Sequence, residues 1–169
     1  MTGRIAAAPV DVFLDALASD APTPGGGAVA ALAGASGAAL ISMVCNLTIG
    51  RTGYEEAEER MRGVLVEAES SRTVLLDLAD RDAAAFGSVM AAFKMPKETD
   101  AERALRTQAI QEGYSAAAEA PLDIARRAAE HMELARELTE IGNAAAASDG
   151  ACAAQALSAA IWCATYNVE

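Results

Sequence analysis

GGGAVAALAGASGAALISMVCNLTIG, residues 25–50, is the stretch on which the fold turns. It contains no charged side chain, and as a helix it would be long enough to cross a bilayer. Its composition argues against a lipid-facing span. Ala, Gly and Ser dominate, Asn46 and Thr48 interrupt the apolar run, and acidic helical sequence flanks it on both sides. Such a segment reads as the buried central helix of an all-α bundle, its small side chains admitting close neighbours. Asn46, on the stripe of Ala39 and Met43, is then expected to be buried and in need of hydrogen-bond partners.

Upstream, Val10, Phe13, Leu14 and Leu17 form one helical stripe over Val10 to Ala18, with Pro9 at its first turn. The run Ser19-Asp20-Ala21-Pro22-Thr23-Pro24 cannot continue that helix, and Thr23 is the expected N-cap of the next. Downstream, Gly50 to Gly53 breaks the chain, Glu55 to Phe93 reads as one long amphipathic helix, and Met95-Pro96 ends it. Glu98 to Met132 is helical, with a break or kink expected near Ala120 because Pro121 has no N–H to donate. Gly142-Asn143 closes a short helix. The Ala-rich segment Ala144 to Tyr166 follows, with Ser148-Asp149-Gly150 as an interruption or cap. The expectation is one domain, residues 1–169, folded as a compact bundle of five to seven helices with long Ala/Gly-rich helices at its centre.

The chain is 53% hydrophobic but only 4% aromatic, and alanine supplies most of the apolar content. Helix propensity is therefore high, while the area buried per residue is small, which favours a homodimer in which a second copy completes the core. A net charge of -11 without a local Lys/Arg cluster excludes a phosphate-backbone surface, so neither nucleic acid nor a membrane is expected as partner. Cys45, Cys152 and Cys163 lack metal-ligand spacing and read as reduced thiols packed in apolar helices, as in a reducing cytoplasm. Met1 to Val10 lacks the basic start and apolar run of a signal peptide. With no Cys/His set for zinc, no P-loop and no dinucleotide fingerprint, no metal or bound cofactor is expected, and the chemistry read here is acid/base work.

Three consecutive glycines weaken a helix by about 1 kcal/mol each relative to Ala, so Pro22 to Gly27 asks for a reason. Either the helix start is bare so that its N–H groups can approach a ligand, or the run is a tight turn with close packing. Asp82 shares the stripe of Leu75, Ala79, Phe86, Val89 and Phe93, whereas Asp80 points about 200° around the helix and reads as surface. A carboxylate facing a core is a general acid/base with a raised pKa, or a structural acid paired with an arginine or helix end. Ser148 and Asp149 read first as helix caps, and the lone His131, among charges, as surface.

Several blocks, in order, resemble the formiminotetrahydrofolate cyclodeaminase/methenyltetrahydrofolate cyclohydrolase family. These are FLDALA (residues 13–18) with APTPGGG (21–27), SMVCNLTIG (42–50), DAAAF (82–86), MPKET (95–99), Pro121-Leu122, and Gly142-Asn143 with Ser148-Asp149. The resemblance spans nearly the whole chain. It implies a homodimeric helical bundle with folate sites at or near the subunit interface, lined by the Gly-rich loop. It also implies Asp82, Asp149 and Asn46 as catalytic, and Thr23, Pro24, Gly25, Gly26, Gly27, Arg51, Lys97, Asn143 and Ser148 as substrate-binding. A tetrahydrofolate derivative is then the substrate. The expected reaction is hydrolysis of 5,10-methenyltetrahydrofolate to 10-formyltetrahydrofolate, with cyclodeamination of 5-formiminotetrahydrofolate as the alternative and an inactive folate-binding or structural dimer as the second. Similar sequences continue some tens of residues past Asn167-Val168, and the lack of that tail is expected to weaken dimer packing or open the site.

Overall fold

The computed structural model describes residues 3–168. Among them are five α-helices and no strand: α1 (Val10–Leu17), α2 (Gly26–Thr48), α3 (Glu58–Phe93), α4 (Asp100–Ile141) and α5 (Ala147–Thr165). Single 3-10 turns lie at Ile5–Ala7, Glu55–Ala57 and Ala144–Ala146. The all-α bundle expected from sequence is therefore observed.

Helices α2 to α5 run alternately up and down, each packed on its neighbours in chain order, with α5 closing back on α2. Small residues set the spacing. A Cβ on Gly37 would stand 2.7 Å from Cγ of Leu157, and one on Gly34 would press on Leu75 at 3.3 Å and Ala160 at 3.4 Å. Only glycine lets α2 approach α5 this closely at Gly37. By length and composition α2 could cross a membrane, but 61% of its most apolar window is buried inside the bundle.

Only one face of α2 is covered, which corrects the reading of Asn46. Ala31, Ala35, Ala38, Ile41 and Cys45 are buried, whereas Ala39, Met43, Asn46 and Leu47 are exposed. With no charged residue on the outer face and with Ser42 and Thr48 on the buried one, polarity does not tell which side is in.

Four other expectations are corrected at helix ends. Gly25, not Thr23, is the N-cap of α2, and no side chain caps it. Pro121 does not break α4, which runs unbroken for 42 residues to Gly142. Ala120 and Pro121 are both buried there, and packing keeps the helix continuous across the one missing hydrogen bond. Helix α4 begins at Asp100 under a capping box, in which Thr99 Oγ1 accepts from the Glu102 N–H at 3.2 Å and the Glu102 carboxylate accepts from the Thr99 N–H at 2.8 Å. Ser148, Asp149 and Gly150 neither interrupt nor cap, but lie inside the first turn of α5.

Asn143 fastens the end of the bundle where α2 and α4 finish. Its side-chain Nδ2 donates to Leu47 O at 2.9 Å, its backbone N–H to Thr48 Oγ1 at 2.9 Å, and its Oδ1 accepts from Ala145 N–H at 3.0 Å. His131, expected at the surface, is buried, because Ile124, Ala128, His131, Ala135 and Leu138 form one stripe at steps of three and four. Its Nδ1 pairs with Arg127 O at 2.9 Å. The cysteines are not alike either. Cys45 is buried, with its thiol pushed up to about 11 by desolvation, while Cys152 is exposed.

Helix lengths place the cavity. Helices α3 and α4 have 36 and 42 residues, α2 and α5 only 23 and 19. Beyond the Gly26 end of α2, the α3–α4 hairpin overhangs, and no residue of α4 before Ala120 is buried. Phe86, Met90, Phe93, Leu105 and Tyr114 are exposed on this overhang.

Candidate active site

At the step where the overhang begins, Thr23, Gly25 to Gly27, Asp82, Phe86, Tyr114 and Asn167 enclose a cleft of about 250 Å³. The first helical bond of α2 runs from Val29 N–H to Gly25 O at 3.1 Å. The N–H groups of Gly26, Gly27 and Ala28 thus have no helical acceptor and no side-chain cap. This helix start carries positive potential suited to an anion or a polarised oxygen.

The carboxylate of Asp82 lies directly over Gly27, nearer than any Cβ there would tolerate. It accepts no hydrogen bond from the other described residues, and burial raises its pKa above the usual carboxylate value. No arginine pairs with it and no hydrogen bond caps it, but it lies against the positive start of α2, the helix-end placement that the structural-acid alternative also describes. Asp80, two residues earlier, does hold such a role. It accepts from Ile5 N–H at 2.6 Å and Arg4 Nε at 3.0 Å, which ties the N-terminal 3-10 turn to α3. Asp80 is therefore not the free surface acid expected from its position.

Of the residues singled out in the sequence, Thr23, Gly25, Gly26, Gly27 and Asp82 come together here. Pro24 instead borders a second hollow of about 310 Å³ against Gly3 to Ile5, which Thr23 shares. Asn46, Arg51, Asn143, Ser148 and Asp149 gather toward the other end of α2, which at 23 residues is about 34 Å long. The Asn143 side chain is occupied by its structural bonds. Lys97 sits in the turn between α3 and α4, at the far tip of the overhang. Phe86, Val89, Tyr114, Ala117 and Asn167 line the cleft without having been singled out for the site, and Tyr114 and Asn167 are the polar ones. Tyr114 is the aromatic of an otherwise polar half-helix, a visible signal, whereas nothing near Asn167 distinguished it. Pro121 supplies one more feature: lacking an N–H, it leaves the carbonyl of Ala117 without its helical donor, and Ala117 lines the cleft. Among the described residues no cluster of three His, Cys, Asp or Glu side chains could hold a metal ion.

A family profile described as formiminotransferase-cyclodeaminase matches residues 9–169. The methenyltetrahydrofolate cyclohydrolase of Methylorubrum extorquens is 45% identical over 159 residues, 94% of this chain and 76% of its own. The formimidoyltransferase-cyclodeaminase of Rattus norvegicus is 37% identical over 92% of this chain, which spans 29% of that longer protein. The crystal structure of formiminotetrahydrofolate cyclodeaminase from Thermotoga maritima superposes with a TM-score of 0.84 at 34% identity, covering 96% of this chain and 77% of that one. Matched from its first helix to its last by profile, sequence and fold alike, the chain belongs to the formiminotransferase-cyclodeaminase family.

Proposed function

We propose that the protein hydrolyses 5,10-methenyltetrahydrofolate to 10-formyltetrahydrofolate in the cytoplasm. The observation that carries this reading is Asp82, a half-buried carboxylate without a protein partner, laid on the bare start of α2. The substrate bridge is a cationic amidinium carbon, for which Asp82 is both counter-ion and base. Asp82 takes a proton from water as its oxygen bonds to the bridge carbon, giving a neutral carbinolamine. Protonated Asp82 then gives that proton to N5. Loss of the carbinol O–H proton to Asp82 breaks the C–N5 bond and leaves the formyl group on N10. The free N–H groups of Gly26 and Gly27 are placed to receive the developing formyl oxygen. Asp82 finally releases its proton to solvent.

The same groups serve cyclodeamination, in which N10 attacks the formimino carbon and ammonia departs with the proton from Asp82. The cyclohydrolase reading is preferred because the Methylorubrum relative matches along most of both chains. Loss of methenyl absorbance on adding protein, without ammonia release from 5-formiminotetrahydrofolate, is the expected result. Ammonia release without methenyl hydrolysis reverses the order, and neither activity leaves the non-enzyme reading.

The active form is proposed to be a homodimer packed along the open face of α2. Val29, Leu32, Ser36, Ala39, Met43 and Leu47 follow one another there at steps of three or four, with no charge among them. Two copies crossing antiparallel along this face would bring Asn46 and Arg51 of the partner copy toward the Gly26 end of α2, with Ser148 and Asp149 behind them. Light scattering should give twice the chain mass, and Met43→Glu should give a folded monomer with weakened folate binding. A wild-type monomer of undiminished activity would remove the dimer.

A further inference from the structure

Asn167 lies in the turn after α5, where its side-chain Nδ2 donates to Cys163 O at 2.7 Å. That bond satisfies an end carbonyl of α5 and fixes which way the carboxamide faces. The group rests against Gly26, where a Cβ would stand 3.1 Å from Nδ2 and 3.6 Å from Oδ1. Gly26 and Gly27 thus carry a carboxamide and a carboxylate on directions about 100° apart around the helix start. Asn167, with Tyr114 and Ala117, lines both the 250 Å³ cleft over Asp82 and a neighbouring hollow of about 480 Å³ that Ala118 and Val168 also border.

Once Nδ2 has spent one hydrogen on Cys163, the carboxamide keeps one N–H donor and the Oδ1 acceptor. That pattern complements a cis-lactam, whose ring N–H and carbonyl are side by side. The reduced pterin ring of the substrate class proposed above carries one such edge, N3–H and the 4-oxo group. We infer that Asn167 is a positioning residue that reads the 4-oxo lactam edge of the pterin, and so holds the bridge carbon over Asp82. The inference rests on the folate reading. It gives the site a specificity, since a 4-amino ring presents the donor and acceptor reversed, and the Cys163 bond opposes the carboxamide flip that would accommodate it.

Calorimetric titration with tetrahydrofolate and with 4-amino-4-deoxytetrahydrofolate tests it. Wild type should favour the 4-oxo ligand at least tenfold, about the worth of two mismatched hydrogen bonds. Asn167→Ala should reduce that preference to within about twofold. Gly26→Ala, which shifts the carboxamide without removing it, should reduce the preference likewise, and it serves if Asn167→Ala does not fold. An Asn167→Ala protein that weakens both ligands equally, or neither, overturns the assignment, as does a wild type that does not discriminate. A wild type that binds neither ligand overturns the folate reading, and this assignment with it.

Discussion

Gly27→Ala should abolish most of the methenyl-hydrolysing activity, by about 10² or more, while leaving the protein folded. The added methyl group would occupy the place of the Asp82 carboxylate, so the acid must swing out of the cleft. Displacement of a general acid/base by an ångström or more costs on that scale. The helix itself does not suffer, because alanine is the better helix former. Unchanged or raised thermal stability alongside a collapsed rate therefore separates this effect from unfolding. Gly63→Ala provides the control, since a Cβ there meets nothing within 4 Å. Gly27→Ala activity within about threefold of wild type would show that Asp82 need not sit where it does.

Asp82→Asn should lower the rate by about 10² or more, because the amide keeps the shape and cannot carry the proton. Its stability should move the other way. Burial raises the Asp82 pKa above the ordinary 3.8, so the folded protein holds this proton more tightly than the unfolded chain does. Stability from this group is present below the unfolded value and lost as pH rises through the folded one. At neutral pH the charged carboxylate is thus a burden, and Asp82→Asn should raise Tm there, with the gain fading toward pH 4. Asp80→Ala should show the opposite pattern, losing stability with the Arg4 and Ile5 bonds and little rate. Equal rate losses in the two variants, or a lower Tm for Asp82→Asn at pH 7, would make Asp82 a structural acid.

Periodicity found the helices and placed Asp82 correctly, because a carboxylate at steps of three and four from Leu75 and Ala79 has few places to go. It failed where chemistry gave no contrast. Along α2 both faces are Ala, Ser and aliphatic, so the exposed side of Asn46 and Met43 looked the same as the buried one. His131 was misplaced for the opposite reason, as its charged neighbours in sequence, Glu130 and Glu133, outweighed its own stripe. Pro121 was given its usual disruptive weight, which packing around a buried proline overrode. Asn167 could not be foreseen at all. Its role depends on Gly26, far away in the chain, and no local pattern encodes that meeting.

The unequal helix lengths bear on how such a chain can change over time. The cleft owes its depth to a step between helices of unequal length, and its floor is counted from Gly26, Asp82 and Asn167 inward. Matched insertions or deletions of seven residues, two turns in each arm of the α3–α4 hairpin beyond Phe86 and before Tyr114, keep the facing stripes in register. They would slide the tip, with Lys97, nearer or farther without disturbing the step. The overhang is thus a ruler whose length can be edited to suit the reach of a substrate, while the acid at its base stays in place.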